Sequence, residues 1–175
     1  MIARRVLLIG LALGLSVSAA PAHGPTPQTA EQRIEIKAAP DAVWAVLGDP
    51  ASMAEWHPDV ASVTLEGEGP GAKRVVEFKS GGTLTDGIDR IVEESHEIRW
   101  RLSTEDIEVF PVSYYTNSLK VEPVGDGAAV IWNASFFRAD TTNEPQESFN
   151  DEAAVAAMDG LITHGLEGLK AKLEE

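Results

Sequence analysis

The chain contains no cysteine. That absence excludes disulfides, thiolate metal sites, a cysteine nucleophile and a lipoprotein anchor. Basic residues are scarce as well, 14 against 28 acidic ones, for a formal charge of −14. A surface of that sign repels phosphate backbones and anionic headgroups, so nucleic acid is not an expected partner. Three familiar signatures of chemistry are missing: the G-x-S-x-G elbow, the P-loop and H-E-x-x-H. The glycine-rich stretches that do occur, Gly67–Gly71 and Gly81-Gly82, stand at hairpins. They do not join a strand to a helix N-terminus, so they are not phosphate loops. No apolar run reaches the roughly 20 residues of a membrane span.

The longest apolar run, Val6 to Leu15, follows Arg4 and Arg5 and precedes small residues ending Ala20-Pro21-Ala22. A charged start, a short apolar segment and an A-x-A site predict a signal peptide over residues 1–22, cleaved after Ala22. The flanking residues favour the general secretory route over the twin-arginine one. The mature chain would start at His23, in the periplasm, with no membrane anchor. Loss of Arg4 and Arg5 leaves 12 basic against 28 acidic residues, a formal charge of −16. The remaining length fits one domain standing on its core alone.

Residues 23–31 are proline-rich and polar and read as an extended arm, with the folded domain over 32–175. Gln32 to Ala38 alternates as a first strand. Pro40-Asp41 opens a short helix carrying Val43, Trp44 and Leu47, and Pro50 to Trp56 forms a second, stopped by Pro58. Strands follow at hairpin spacing: Val60–Glu66, Arg74–Lys79, Leu84–Glu93, His96–Thr104, Val112–Val121 and Ala129–Arg138. Gly125-Asp126-Gly127 marks the last hairpin, since glycine accepts positive φ. Val155, Met158, Ile162, Leu166, Leu169 and Leu173 recur at steps of three and four, the period of one helical face. Asn150 or Ser148 caps this closing helix. The expected class is α+β: a curved antiparallel sheet of about seven strands around a long C-terminal helix, with two short helices after the first strand.

That order resembles the helix-grip layout of the START and Bet v 1-like (SRPBCC, polyketide cyclase-like) superfamily. The likeness rests on Ala39-Pro40…Val43-Trp44, Trp56-His57-Pro58, Gly81-Gly82, Trp132 and the final helix. Within it the chain is most similar to the MxaD-type periplasmic accessory proteins of methanol oxidation. Pro111-Val112, Val121-Glu122-Pro123, Phe137-Arg138 and Asn150–Val155 carry that closer match, along with His23–Gln28. The superfamily implies an internal apolar cavity that binds lipids, hormones or polyketides, with a few cyclases among its members. The MxaD-type resemblance implies a non-enzymatic role, assisting methanol dehydrogenase to pass electrons to its cytochrome c. It brings no catalytic residues.

The residues themselves offer a cavity lining: Trp56, His57, Trp100, Tyr114, Trp132, Phe136, Asp159 and Ile162. The aromatics serve equally as pocket wall or as core. Tyr114 and Tyr115 are neighbours in a strand, so only one can face inward. His57 lies among Glu55 and Asp59, carboxylates able to raise its pKa, and it fits either a general base or a loop anchor. Asp159 lies about 60° from the centre of the apolar stripe, close enough to edge into a cavity, whereas His164 falls opposite it and faces solvent. A free His23 terminus offers two nitrogens to copper, without a second histidine to complete a site. No catalytic set, metal site or cofactor is read. Three functions stay open: the MxaD-like accessory role, a periplasmic carrier of a small apolar ligand, and a cyclase- or hydrolase-like enzyme.

Overall fold

The computed structural model describes residues 24–175. His23 and the signal peptide expected over 1–22 lie outside the described residues. Seven antiparallel strands form one sheet in the order β1-β7-β6-β5-β4-β3-β2. They are β1 (Gln28–Ile36), β2 (Val60–Glu66), β3 (Lys73–Phe78), β4 (Thr83–Val92), β5 (Glu97–Thr104), β6 (Val112–Val124) and β7 (Gly127–Arg138). Helix α1 (Pro40–Leu47), a 3₁₀ turn (Pro50–Ser52) and helix α2 (Met53–Trp56) carry the chain from one sheet edge to the other. Helix α3 (Asp151–Leu173) closes the fold. This is the expected helix-grip architecture.

β1 corrects the arm expected over 23–31. The strand starts at Gln28, and Gln28 pairs with Phe136 at the far end of β7. Its first residues complete a ladder that β7 already offers, and Pro27, lacking an N–H, stands just outside.

Asn150 caps α3, its Oδ1 accepting from the Ala153 N–H at 2.9 Å. Acidic Asp151 and Glu152 stand at the start and Lys170 and Lys172 in the last turn, the charge order that suits the helix dipole. Met158, Ile162, Leu166 and Leu169 are buried as the stripe requires, and Val155 and Leu173 are half-buried at its ends. Burial of each such side chain is worth about 1.5–3 kcal/mol, so the stripe commits α3 to the sheet. Arg138 fastens the connection before it. Its guanidinium donates to the carbonyls of Asp140 at 2.6 Å and Thr142 at 2.8 Å, and pairs with Asp151 at 2.8 Å.

α3 comes unusually close to the α2–β2 turn. A Cβ on Gly168 would sit 2.2 Å from the Trp56 carbonyl oxygen and 2.7 Å from Pro58 Cδ. One on Gly165 would sit 2.8 Å from the His57 ring and 2.9 Å from Trp132. Side chains at these two positions would hold the helix off the sheet.

Candidate functional site

Beneath Trp100 and Trp132 the interior between sheet and α3 is filled, and past Phe78 and Leu161 it gives onto an open groove. The space left in the filled part is about 10 Å³, walled by Met53, Leu161, Trp100, Trp132 and a buried polar cluster. Trp132 is fully buried, with Trp56 and Trp100 packed edge-on against it at centroid distances of 6.2 and 5.6 Å. Edge-to-face packing of this kind is the favoured aromatic geometry. Phe136 and Ile162 are fully buried as well, but they belong to the packed core away from the remaining space. Aromatic payload, which sequence leaves undecided between wall and filler, is here filler.

The polar cluster comes from three strands. Arg74 on β3 and Asp86 on β4 are register partners, joined from Nη2 and Nε to Oδ2 at 2.7 and 3.1 Å. The Tyr115 hydroxyl on β6 donates to the other Asp86 oxygen, and the Arg74 guanidinium lies 4.7 Å over the Trp100 ring. Burial and the Asp86 charge push the Tyr115 pKa well above its ordinary value, so it stays a donor. Asn117, also on β6, accepts from Trp132 Nε1 at 2.8 Å. That bond fixes the amide orientation and leaves its buried Nδ2 without a protein partner. The 10 Å³ it faces is about the room of one water.

Two of the expected cavity residues, Tyr114 and Asp159, lie outside the buried core altogether. Tyr114 is 72 % exposed. A bulge in the β6–β7 ladder between Ser113 and Thr116 puts its backbone at φ +50°, while Tyr115, in step with Asn117, Leu119 and Val121, takes the inward position. Asp159 is half-buried and does not line the interior. It sits toward β1, where its carbonyl accepts from Gln32 at 3.4 Å.

His57 is a loop anchor. Its Nδ1 accepts from the Asp59 N–H at 3.2 Å, so Nε2 carries the proton and donates to the Leu161 carbonyl at 2.9 Å. Both ring nitrogens are thus spent on backbone, and neither is available as a general base. Burial holds its pKa below 6.5, outweighing the upward pull of the Leu161 bond and the Asp59 charge. The raised pKa that its neighbouring carboxylates suggested is therefore corrected. His164 is exposed as expected and meets Asp59 at 2.7 Å. It borders an open groove of about 370 Å³ that also touches Phe78, Lys79, Val109, Phe110 and Leu161.

Arg74, Asp86 and Asn117 were not anticipated, yet strand parity carries their signal. Arg74 shares a face with Val76 and Phe78, Asp86 with Leu84 and Ile88, and Asn117 with Leu119 and Val121. A polar residue in an inward position needs a partner, and two such strands side by side supply one.

The fold recurs among solved structures. XoxI from Bacillus cereus is 20% identical over 83% of this chain and 94% of its own, with a TM-score of 0.70. Zhui aromatase/cyclase from Streptomyces sp. R1128 is 16% identical over 85% and 94%, with a TM-score of 0.67. Truncated norcoclaurine synthase from Thalictrum flavum is 13% identical over 87% and 96%, with a TM-score of 0.64. At these identities the likeness is one of fold. No curated protein sequence matches the chain. The model of one family matches residues 27–174, nearly all of the described fold, and the chain belongs to that family, polyketide cyclase / dehydrase and lipid transport.

Proposed function

We propose that the protein is a non-catalytic accessory factor of the periplasm. On this reading it assists electron transfer from methanol dehydrogenase to cytochrome c, as its MxaD-type resemblance implies. The filled interior is the observation that carries the proposal. With about 10 Å³ left between sheet and helix, the fold's usual ligand space is occupied by this chain's own Trp100, Trp132 and Arg74–Asp86 pair. His57, the one titratable residue that sequence singles out as a base, is spent on backbone. Such a molecule works through its surface. Titrating the mature protein into purified dehydrogenase and cytochrome should raise the coupled rate, with the effect fading as salt screens an acidic surface. An unchanged rate at every concentration overturns the proposal.

The groove beside α3 favours a second reading, a carrier of a small apolar ligand. Phe78, Val109, Phe110 and Leu161 give it an apolar floor and Lys79 a cationic rim. Such a ligand would lie at the mouth of the sheet–helix interior, which shares Phe78 and Leu161 with the groove, and it would be displaced by bulk at Gly160, which opens onto that groove.

A further inference from the structure

Tyr114 is a large apolar side chain held out of the core by its own backbone. At φ +50° it occupies the left-handed region that residues with a Cβ rarely adopt. Its ring is 72 % exposed and stands edge-on to Phe137 at 6.5 Å. It opens onto a shallow recess with Leu102, Ser103, Thr104 and Glu105. Among the described residues it is the one large hydrophobic left exposed. The core does not need it there, since Tyr115 already fills the inward position.

The two connections beside it are acidic, with Lys79 at the far side of the first, beyond Val109 and Phe110. The β5–β6 connection, residues 105–111, bears Glu105, Asp106 and Glu108, and the β7–α3 connection, residues 139–150, bears Asp140, Glu144 and Glu147. Neither holds a lysine or arginine. The two connections adjoin, as the Ala139 N–H donates to the Pro111 carbonyl at 3.2 Å. Of the nearby cations, Arg138 is buried and turned to Asp151, and Arg101 pairs with Asp89 at 3.0 Å. Arg99 lies further back along β5. The Arg138 bonds to Asp140 and Thr142 also fix the second connection in place, so the surface is pre-organised for binding.

We propose that Tyr114 and Phe137, flanked by these two acidic connections, form the docking surface for a protein partner with a basic rim around an apolar recess. An exposed, rigid aromatic ringed by charge is the usual anchor of such contacts. A second copy of this chain, at −14, lacks the complementary sign. The proposal rests on the accessory reading and names the surface that reading requires.

The test is calorimetric titration of the mature chain against purified methanol dehydrogenase and purified cytochrome c, at low and high salt. Tyr114→Asn removes the ring yet suits the left-handed backbone, so folding is not at stake. Wild type should bind one of the two. Tyr114→Asn and the double variant Glu105→Lys/Glu108→Lys should each weaken binding tenfold or more, the second also flattening the salt dependence. Lys120→Glu, at the other end of β6, should bind as wild type does. Binding undiminished in both test variants overturns the surface and leaves the accessory reading standing. No binding by wild type to either protein overturns both. A dimer that Tyr114→Asn dissolves overturns the proposed partner in favour of self-association.

Discussion

Arg74 and Asp86 face each other across the β3–β4 ladder as a buried ion pair, 2.7 Å apart, with side chains 4 % and 2 % exposed. An interior designed to hold an apolar guest gains nothing from such a pair. Here it borders the small space left between sheet and α3, roofed by Trp100 and tied to Tyr115. Removing one partner strands a charge in low dielectric. Asp86→Ala should therefore lose about 3–5 kcal/mol in urea unfolding. Replacing the cluster together, as Arg74→Met/Asp86→Leu/Tyr115→Phe, should recover most of that loss, because an apolar trio carries no desolvation cost. A triple variant as unstable as the single one would show that the cluster holds the fold by geometry and not by charge balance.

The closeness of α3 depends on Gly168. Alanine is the better helix former by about 1 kcal/mol, and at Gly160, where nothing lies within 4 Å of a new Cβ, the substitution should stabilise by about that much. At Gly168 the new Cβ would meet the Trp56 carbonyl oxygen at 2.2 Å, a backbone atom that cannot swing away. Gly168→Ala should cost about 1–3 kcal/mol as overpacking. Thermal unfolding of the two variants, side by side, separates helix propensity from the contact.

His57 links stability to pH. Burial lowers its pKa below 6.5 in the folded chain, so the unfolded chain binds the proton first. Its contribution is complete above about pH 6.5 and is lost as the pH falls below that value, by up to about 1.4 kcal/mol per pH unit. His57→Gln keeps a donor for the Leu161 carbonyl and an acceptor for the Asp59 N–H. It should be less stable than wild type at pH 8, and the gap should narrow below pH 6.5. Parallel stability–pH curves would refute a neutral, buried His57.

Trp132 is the plug. Trp132→Ala should destabilise by about 3–5 kcal/mol and open an apolar hole bordered by the Asn117 amide oxygen. Indole carries the same N–H and ring, so millimolar indole should raise the melting temperature of the variant and leave that of wild type unchanged. A wild-type response equal to the variant's would mean that the interior already has room.

Much of this architecture is readable in the chain itself. Alternation places six of the strands within a few residues of their observed ends, and the stripe from Val155 to Leu173 places α3 against the sheet. What alternation does not disclose is how near the helix comes. That depends on Gly165 and Gly168, whose effect is felt only against the Trp56-His57-Pro58 turn. Nor does it disclose the bulge at Tyr114, because one extra residue in β6 relative to β7 leaves no mark on apolar spacing. Arg74 and Asp86 are veiled for a different reason: parity points each inward, but only the β3–β4 register makes them partners. Trp56, Trp100 and Trp132 are readable as inward aromatics, but whether such side chains wall a cavity or fill it is a matter of volume, which sequence does not carry.

The filled interior is tested most directly by native mass spectrometry of the mature protein purified from its own host. A filled core predicts the mass of the polypeptide alone, with no adduct that dissociates on activation. A small apolar molecule retained at one per chain, and still retained after Gly160→Leu blocks the groove beside α3, would contradict it and return the protein to the carriers.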